Sequence, residues 1–342
     1  MIMFEKLTGN EQMKARLRQL YEAGRIPQAL LFAGHEGIGK KQFAIELAAA
    51  FVCETGNGCG NCKACRRTLN FDLPKADDKD AHLKIIFSGH SDVGMVVPYK
   101  RNILVDTIRD LEREAHFRPY EASVRIFIID DAHKMNEAAS NALLKTLEEP
   151  AESTYIFLVT SRPEKLLQTI RSRCQMTRFV PVLSDEIEQL LRVGGKFNDE
   201  TAKLAARICE GNIGDALAID MEKYLKMRSL MLDVLTSAVF DKGRASMLQT
   251  AELMNDAAHK EDYEKMLGVL EILIHDVWLI VQSSSANVVN FDIIDKLTEL
   301  AENGDISDFS IWLEAIEILT GNLAVNINRK TATDALFLKM AA

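Results

Sequence analysis

The chain has 342 residues, of which 47% are hydrophobic and 27% are charged, and its formal net charge is −9. This length predicts two or three domains whose cores are large enough to fold without disulfides. The acidic balance excludes a protein that binds nucleic acid through a generally basic surface, so DNA contacts would need a local patch or a partner. Residues 1–20 are charged and amphipathic, which predicts no signal peptide, and the most apolar stretch, residues 266–282, contains charged residues. We therefore expect a cytoplasmic protein that does not span a membrane.

The chain is organised around residues 30–47, which read LLFAGHEGIGKKQFAIEL. An apolar run predicts a buried strand, a glycine-rich turn follows it, and a helical pattern comes next. A phosphate-binding P-loop requires this strand–turn–helix context. Backbone N–H groups of such a turn, with the positive end of the following helix, bind phosphate oxygens. The candidate nucleotide-binding residues in this segment are Gly34, Gly37, Gly39, Lys40 and Lys41.

Lys41 departs from the P-loop pattern, which has Ser or Thr after the lysine because that hydroxyl binds Mg²⁺. A second ammonium group at this position makes a poor magnesium site. We therefore expect a loop that can hold phosphate but does not support hydrolysis. The alternative is a glycine-rich turn that binds nothing, and the assignment of ATP or ADP as a cofactor stays open between these two interpretations.

Four of the six cysteines follow the P-loop helix with the spacing C-x5-C-x2-C-x2-C. Four thiolates can complete a tetrahedral zinc shell, and two-residue gaps let neighbouring cysteines reach one ion. A closed four-cysteine shell is structural, because it leaves no open position for chemistry. The alternatives are four reduced thiols or two disulfides. The sequence thus predicts structural Zn²⁺ at Cys53, Cys59, Cys62 and Cys65, and it predicts that Cys174 and Cys209 are buried apolar residues.

Two further apolar runs predict buried strands, at residues 124–130 and 154–160. Strands that alternate with helical patterns indicate a parallel sheet with helices on both faces, and ligands bind at the carboxyl ends of such strands. Asp130 ends the first run, where an acid facing a P-loop normally helps to hold magnesium; capping of the next helix is the alternative. Thr160 ends the second run and completes the candidate nucleotide site. Residues 70–100 suggest no chemistry, and we expect His82 and His90 to be surface residues.

After residue 181 the patterns are helical, so the predicted fold class is α/β plus all-α. Four segments together with the cysteine insert resemble the clamp-loader branch of the AAA+ family, a part of bacterial DNA polymerase III. The segments are residues 25–40, 128–150, 160–174 and 326–340. The resemblance implies an AAA+ P-loop domain at residues 1–179 with a zinc insert at 53–65. It further implies a helical lid domain at residues 180–219 and a helical collar, used for oligomerisation, at residues 220–342.

In that family, subunits form a hetero-pentameric ring that opens the sliding clamp and places it on primed DNA, with ATP bound between subunits. The resemblance implies that Arg173, in the serine-arginine-cysteine motif, reaches a neighbouring subunit's ATP. Such an arginine neutralises charge that develops on the transferred phosphoryl group. The alternative is an ordinary surface or salt-bridged arginine.

Three departures from the hydrolysing members of the family bear on activity. Those members have Ser or Thr at position 41, Glu at position 131 and arginine at position 214, whereas this chain has Lys41, Asp131 and Gly214. We therefore expect a subunit without ATPase activity of its own that completes a neighbour's site within the polymerase complex. The alternatives are an ATP-hydrolysing motor subunit of the same loader and a zinc-stabilised nucleic-acid-binding module. The five-residue first cysteine gap is also shorter than is usual in the family.

Overall fold

The computed structural model describes residues 3–241, 243–259, 261–284, 287–323 and 327–342. Asn326, the first residue of the last matching segment, lies outside these ranges. The chain divides into two compact units, and each is described by itself. The first comprises Met1–Gly194 and Cys209–Leu217, and the second comprises Gly195–Ile208 and Ala218–Ala342. The three predicted domains, at residues 1–179, 180–219 and 220–342, stay a prediction.

The first unit contains a six-stranded sheet in the spatial order β2-β3-β4-β5-β1-β6. Its pairs are parallel except for the antiparallel pair of β2 and β3. The strands are β1 (Ala29–Ala33), β2 (Ile86–Phe87), β3 (Val93–Val96), β4 (Arg125–Ile129), β5 (Thr154–Thr160) and β6 (Gln175–Arg178). The three apolar runs form β1, β4 and β5, and the predicted parallel sheet is confirmed.

Helices cover both faces of this sheet. The helices of the first unit up to residue 194 are α1 (Glu11–Glu22), α2 (Lys40–Phe51), α3 (Lys63–Thr68), α4 (Lys79–His82), α5 (Val105–Ala115), α6 (Glu137–Glu148), α7 (Gln168–Arg173) and α8 (Ser184–Val193). The next helix, α9 (Asp199–Ile208), belongs to the second unit, and α10 (Ile213–Ala218) follows it. Side chains alternate along β1: Leu30 and Phe32 join a core with α1 and α2, while Leu31 joins a core with α5 and α6. The layered α/β class is therefore confirmed.

In its described residues the second unit contains helices and no strand. After α9 it contains α11 (Met221–Thr236), a π-helical turn at Ser237–Asp241, α12 (Arg244–Met254), α13 (Tyr263–Val281), α14 (Ile294–Asn303), α15 (Ile306–Asn322) and α16 (Arg329–Met340). The buried carboxylate of Asp276 accepts hydrogen bonds from the backbone N–H groups of Val289 at 2.8 Å and Asn290 at 2.9 Å. None of the described helices is long and apolar enough to cross a membrane.

Two histidines are placed differently from the expectation. His82 and His90 are buried, with 6% and 3% exposure, and the prediction of surface positions is wrong. Each ring lies beside local backbone, with His82 Nδ1 2.6 Å from the carbonyl oxygen of Asp78 and His90 Nδ1 accepting from the N–H of Asp92 at 3.2 Å. Local hydrogen bonds of this kind satisfy a buried imidazole without a ligand. The prediction for Cys174 and Cys209 is confirmed, since both are buried.

Candidate functional site

The P-loop lies between β1 and α2 at the carboxyl edge of the sheet. Gly34 donates its N–H to the carbonyl of Thr160 at 3.3 Å, which ties the start of the loop to the end of β5. Gly37 and Gly39 have φ values of 72° and 91°, in the left-handed region that favours glycine. These glycines let the backbone turn sharply, and α2 begins directly after them at Lys40.

Lys40 is folded back into its own loop. Its side chain is 6% exposed, and its ammonium group donates a hydrogen bond to the carbonyl of His35. Burial lowers the pKa of Lys40, against the opposing effect of the carboxylates of Asp131, Glu36 and Asp130. The amine therefore lies inside the loop on a neutral acceptor, where an anionic oxygen would be a stronger partner.

The two acids after β4 each have a lysine partner. Asp130 Oδ2 lies 2.9 Å from the ammonium nitrogen of Lys41, and the exposed fractions of the two side chains are 16% and 42%. Asp131 has a left-handed backbone, with φ 48°, and its Oδ2 lies 2.7 Å from the ammonium nitrogen of Lys134. Both carboxylates that follow β4 are thus paired with lysines of the chain itself.

Thr160 is fully buried at the end of β5, level with Ala33 of β1. Its hydroxyl accepts a hydrogen bond from the N–H of Arg162 at 3.0 Å and lies 3.1 Å from His133 Nδ1. Burial lowers the pKa of His133, and the nearby cations Lys134, Arg162 and Lys165 lower it further, although Asp131 opposes them. Burial therefore favours the neutral form of His133. The sequence pattern did not single out this residue.

A segment far along the chain rests on the P-loop. The N–H of Gly214 donates to the carbonyl of Gly37 at 3.0 Å. The side chain of Asn212 lies so close that a methyl group on Gly37 would come within 1.8 Å of its Oδ1. Asn212 is itself held by Asp215, whose N–H donates to Oδ1 at 3.0 Å and whose carboxylate accepts from Nδ2 at 2.6 Å. Sequence spacing gave no signal for Asn212, because its partner is 175 positions earlier.

Arg173 lies at the amino ends of the parallel strands, which is the edge of the sheet opposite the P-loop. It ends α7, two residues before β6 begins at Gln175, and Gln175 is level with Leu30 near the start of β1. The loop follows Ala33, so Arg173 is separated from it by ~10 Å or more along the strands. The guanidinium is 34% exposed, lies 2.5 Å from Glu148 Oε1 and donates to the carbonyl of Thr169 at 3.0 Å. Arg173 therefore cannot serve its own P-loop.

An open depression of about 500 Å³ surrounds Arg173. Pro27 and Ala29 form part of its lining, together with Leu147 and Glu148 from the end of α6. The arginine and its carboxylate partner are therefore accessible to a molecule that docks at this amino edge.

The four cysteines of the insert converge on one point. Their sulfur atoms all lie within 4.8 Å of one another, and all four thiols are free of disulfides. Tetrahedral zinc with sulfur at 2.3 Å requires neighbouring sulfurs roughly 3.8 Å apart, so the arrangement fits a single ion. Backbone N–H groups point at three of the sulfurs. The N–H of Cys59 lies 3.4 Å from the sulfur of Cys53, that of Cys62 lies 3.3 Å from the sulfur of Cys59, and that of Cys65 lies 3.4 Å from the sulfur of Cys62. Such N–H···S contacts stabilise thiolates.

The surroundings of Cys53 and Cys65 shift the pKa values of the two thiols in opposite directions. Partial burial opposes ionisation of Cys53, but hydrogen bonds from Thr55 and from the N–H of Cys59 lower its pKa to about 5. Burial raises the pKa of Cys65. The loop turns through Gly56, Gly58 and Gly60, which all have φ between 65° and 69°. The insert is thus a four-cysteine cluster that could bind a metal ion.

Residues 9–182, just over half of the chain, match the family described as DNA polymerase III, delta subunit. The chain belongs to this family. It is 26% identical over 337 residues to the delta' subunit of Bacillus subtilis, with 97% of each chain covered. It is 28% identical to the delta' subunit of Escherichia coli, which covers 83% of this chain and 79% of that subunit. The predicted resemblance to bacterial clamp-loader proteins is confirmed.

The tau subunit of Escherichia coli DNA polymerase III is also similar, with 27% identity over 362 residues. This alignment covers 99% of the chain but only 54% of tau, so the chain spans about half the length of that relative. Similarity to both delta' and tau places the chain among clamp-loader subunits without separating the two types.

Proposed function

We propose that this chain is a non-hydrolysing clamp-loader subunit of the delta' type, which supplies Arg173 to ATP bound by a neighbouring subunit. The observation that carries the proposal is the separation of the two sites on one sheet. Arg173 lies at the amino edge, accessible beside a depression, while the chain's own P-loop lies at the carboxyl edge. An arginine so placed can contact only a nucleotide held by another subunit.

The state of the P-loop supports the absence of hydrolysis. Lys41 stands where a magnesium-binding hydroxyl is required and is paired with Asp130 at 2.9 Å. A chain with this pairing lacks one ligand of the catalytic cation and has the other neutralised. The proposed subunit therefore has no ATPase activity of its own and acts as one member of a hetero-pentameric ring that loads the sliding clamp on primed DNA. The proposed metal at the four cysteines is structural Zn²⁺.

The test is the ATPase rate of the loader assembled with motor subunits, clamp and primed DNA. For Arg173→Ala we expect intact assembly and a rate at the adjoining ATP site that falls by roughly 10³-fold, as for other arginine fingers. Arg173→Lys should recover little, because an ammonium lacks the planar fork of donors. Stability should change by less than about 1 kcal/mol, since the pair with Glu148 is partly exposed.

Arg192→Ala is the matched control, because Arg192 is also a partly exposed arginine paired with a glutamate, Glu188, at 2.6 Å. The control loader should hydrolyse ATP as fast as the wild type. Unchanged ATPase in a correctly assembled Arg173→Ala loader would refute the role of Arg173.

The second candidate function is an ATP-hydrolysing motor subunit, favoured by the similarity to tau over 99% of this chain. ATP turnover by the purified chain alone separates the two. We expect none, and substantial turnover would support the motor.

A further inference from the structure

We propose that the Lys41 ammonium replaces the magnesium ion at the P-loop, so that the loop binds the phosphates of a nucleoside diphosphate without any divalent cation. This inference rests on the proposed function, because it concerns the site that no longer hydrolyses ATP. It goes beyond it by assigning that site a ligand and a mode of binding.

The position of Lys41 carries the first step. In P-loop proteins the magnesium ion is held between the residue after the P-loop lysine and an acid at the end of a neighbouring strand. In this chain those two positions are Lys41 and Asp130, which are 89 residues apart in sequence and joined by the 2.9 Å ion pair. The tethered ammonium therefore occupies the place of the ion and contacts the carboxylate that would otherwise bind it. A divalent cation would be repelled there.

The rest of the loop keeps its means of binding phosphate. Across the residues that the structure describes, the N–H groups of Gly37 and Gly39 donate to no backbone carbonyl. The ammonium of Lys40 is inside the loop on the neutral carbonyl of His35, a weaker acceptor than a phosphate oxygen. Asp131, the second carboxylate at this edge, is already paired with Lys134 and adds little repulsion.

Charge then selects the ligand. Magnesium with Asp130 would present one net positive charge, whereas Lys41 with Asp130 presents none. One unit of positive charge fewer favours the diphosphate over the more highly charged triphosphate. The site therefore suits a nucleoside diphosphate held by backbone N–H groups, Lys40 and the exposed side of the Lys41 ammonium.

Calorimetric titration of the full-length chain with ADP tests this, once in excess MgCl₂ and once in excess EDTA. We expect measurable binding in both, with dissociation constants that agree within about twofold. Lys41→Thr, which restores the hydroxyl, should bind about tenfold more weakly in EDTA and recover when MgCl₂ is added. Lys41→Met, which removes the charge without adding a hydroxyl, should bind weakly in both.

Lys134→Met is the matched control, since Lys134 forms the neighbouring lysine–aspartate pair at 2.7 Å. It should bind ADP in EDTA as the wild type does. Three results would overturn the inference: no ADP binding in either condition, wild-type binding that requires MgCl₂, or Lys41 variants that bind normally in EDTA. If a variant fails to fold, the wild-type comparison decides alone. None of these results changes the outcome of the ATPase assay with the Arg173 variants, so the proposed function is tested independently.

Discussion

The two ends of α2 carry two candidate ligand sites whose charges are arranged differently. At its amino end, the P-loop charges have partners within the chain, Lys40 with the carbonyl of His35 and Lys41 with Asp130. At its carboxyl end, Cys53 begins a cluster in which neutral backbone N–H groups point at three of the four sulfurs. The helix that separates them is 12 residues long, about 18 Å.

The two ends of α2 differ in whether folding needs a bound ion. Four thiolates brought within 4.8 Å repel one another, and neutral donors offset that repulsion only in part. A cation that joins the sulfurs therefore contributes directly to the folding of the insert. At the P-loop the chain supplies its own ammonium, so folding there requires no added ion. Metal removal should consequently act at one end of α2 and leave the other end unchanged.

The largest effect is expected from Cys65→Ser. Cys65 is fully buried in α3, so its loss opens the metal shell from inside and leaves three sulfurs without a common centre. We expect loss of bound zinc and a decrease of at least about 3 kcal/mol in the stability of the insert. Elemental analysis gives the metal content, and calorimetry gives the melting temperature.

Cys209→Ser is the control for this prediction, because Cys209 is a buried free thiol outside the cluster whose pKa burial raises to about 12. It should retain one metal ion per chain. Full metal content in Cys65→Ser, or none in the wild type, would contradict the assignment of a structural zinc site.

The next effect concerns the other end of α2. Gly37→Ala places a methyl group 1.8 Å from Asn212 Oδ1 and holds alanine at φ 72°, so we expect a loss of about 1–3 kcal/mol. A first unit of about 200 residues then melts roughly 2–12 °C lower. Metal content should not change, because the P-loop does not depend on the cluster.

Gly39→Ala separates the effect of backbone strain from that of the contact with Asn212. Gly39 has φ 91°, but nothing lies within 4 Å of an added methyl group. It should destabilise less than Gly37→Ala, and Asn212→Ala should restore part of the loss in the Gly37→Ala background. Equal losses in the two glycine variants would mean that Asn212 does not press on the loop.

Features encoded in short segments could be predicted from the sequence. The P-loop, the cysteine spacing and the strands β1, β4 and β5 each follow from a continuous run of residues. The sequence does not predict β3, because Val93–Val96 is short and contains a glycine. It forms because it pairs with β4, where Val93 is level with Ile126, and because Gly94 leaves room for Ile85, whose Cγ2 would lie 2.5 Å from an added methyl group.

Long-range polar contacts could not be predicted. Arg125 was included in an apolar strand, yet it is fully buried with Glu114 at 3.1 Å and Asp92 at 3.8 Å. Its aromatic neighbours include Tyr120, whose ring centre lies 5.2 Å away. The amphipathic pattern of residues 1–20 does not fix where α1 begins, because the left-handed backbone at Asn10 sets the first helical residue at Glu11. In each case a partner or a single backbone angle decides the outcome, and a periodic pattern carries neither.

The smallest effect concerns the ion pair between Arg67, just after the cysteine insert, and Glu121, just before β4. Arg67, near the end of α3, makes two contacts with the carboxylate of Glu121, at 2.6 and 2.8 Å. The Arg67 guanidinium lowers the pKa of Glu121 from 4.5 to about 2, with help from the N–H of Ser91, although desolvation opposes this. Because the pKa of Glu121 is lower in the folded state than in the unfolded state, ionised Glu121 stabilises the fold, and this stabilisation is complete above pH 4.5. It is lost as the pH falls toward 2.

Because both side chains are about one-third exposed, solvent screens the pair and it contributes little to stability. An NMR titration of the Glu121 carboxyl group should therefore give a pKa well below 4.5 in the wild type and near 4.5 in Arg67→Ala. Arg192→Ala should leave it low. A low pKa that survives in Arg67→Ala would assign the shift to the backbone of Ser91.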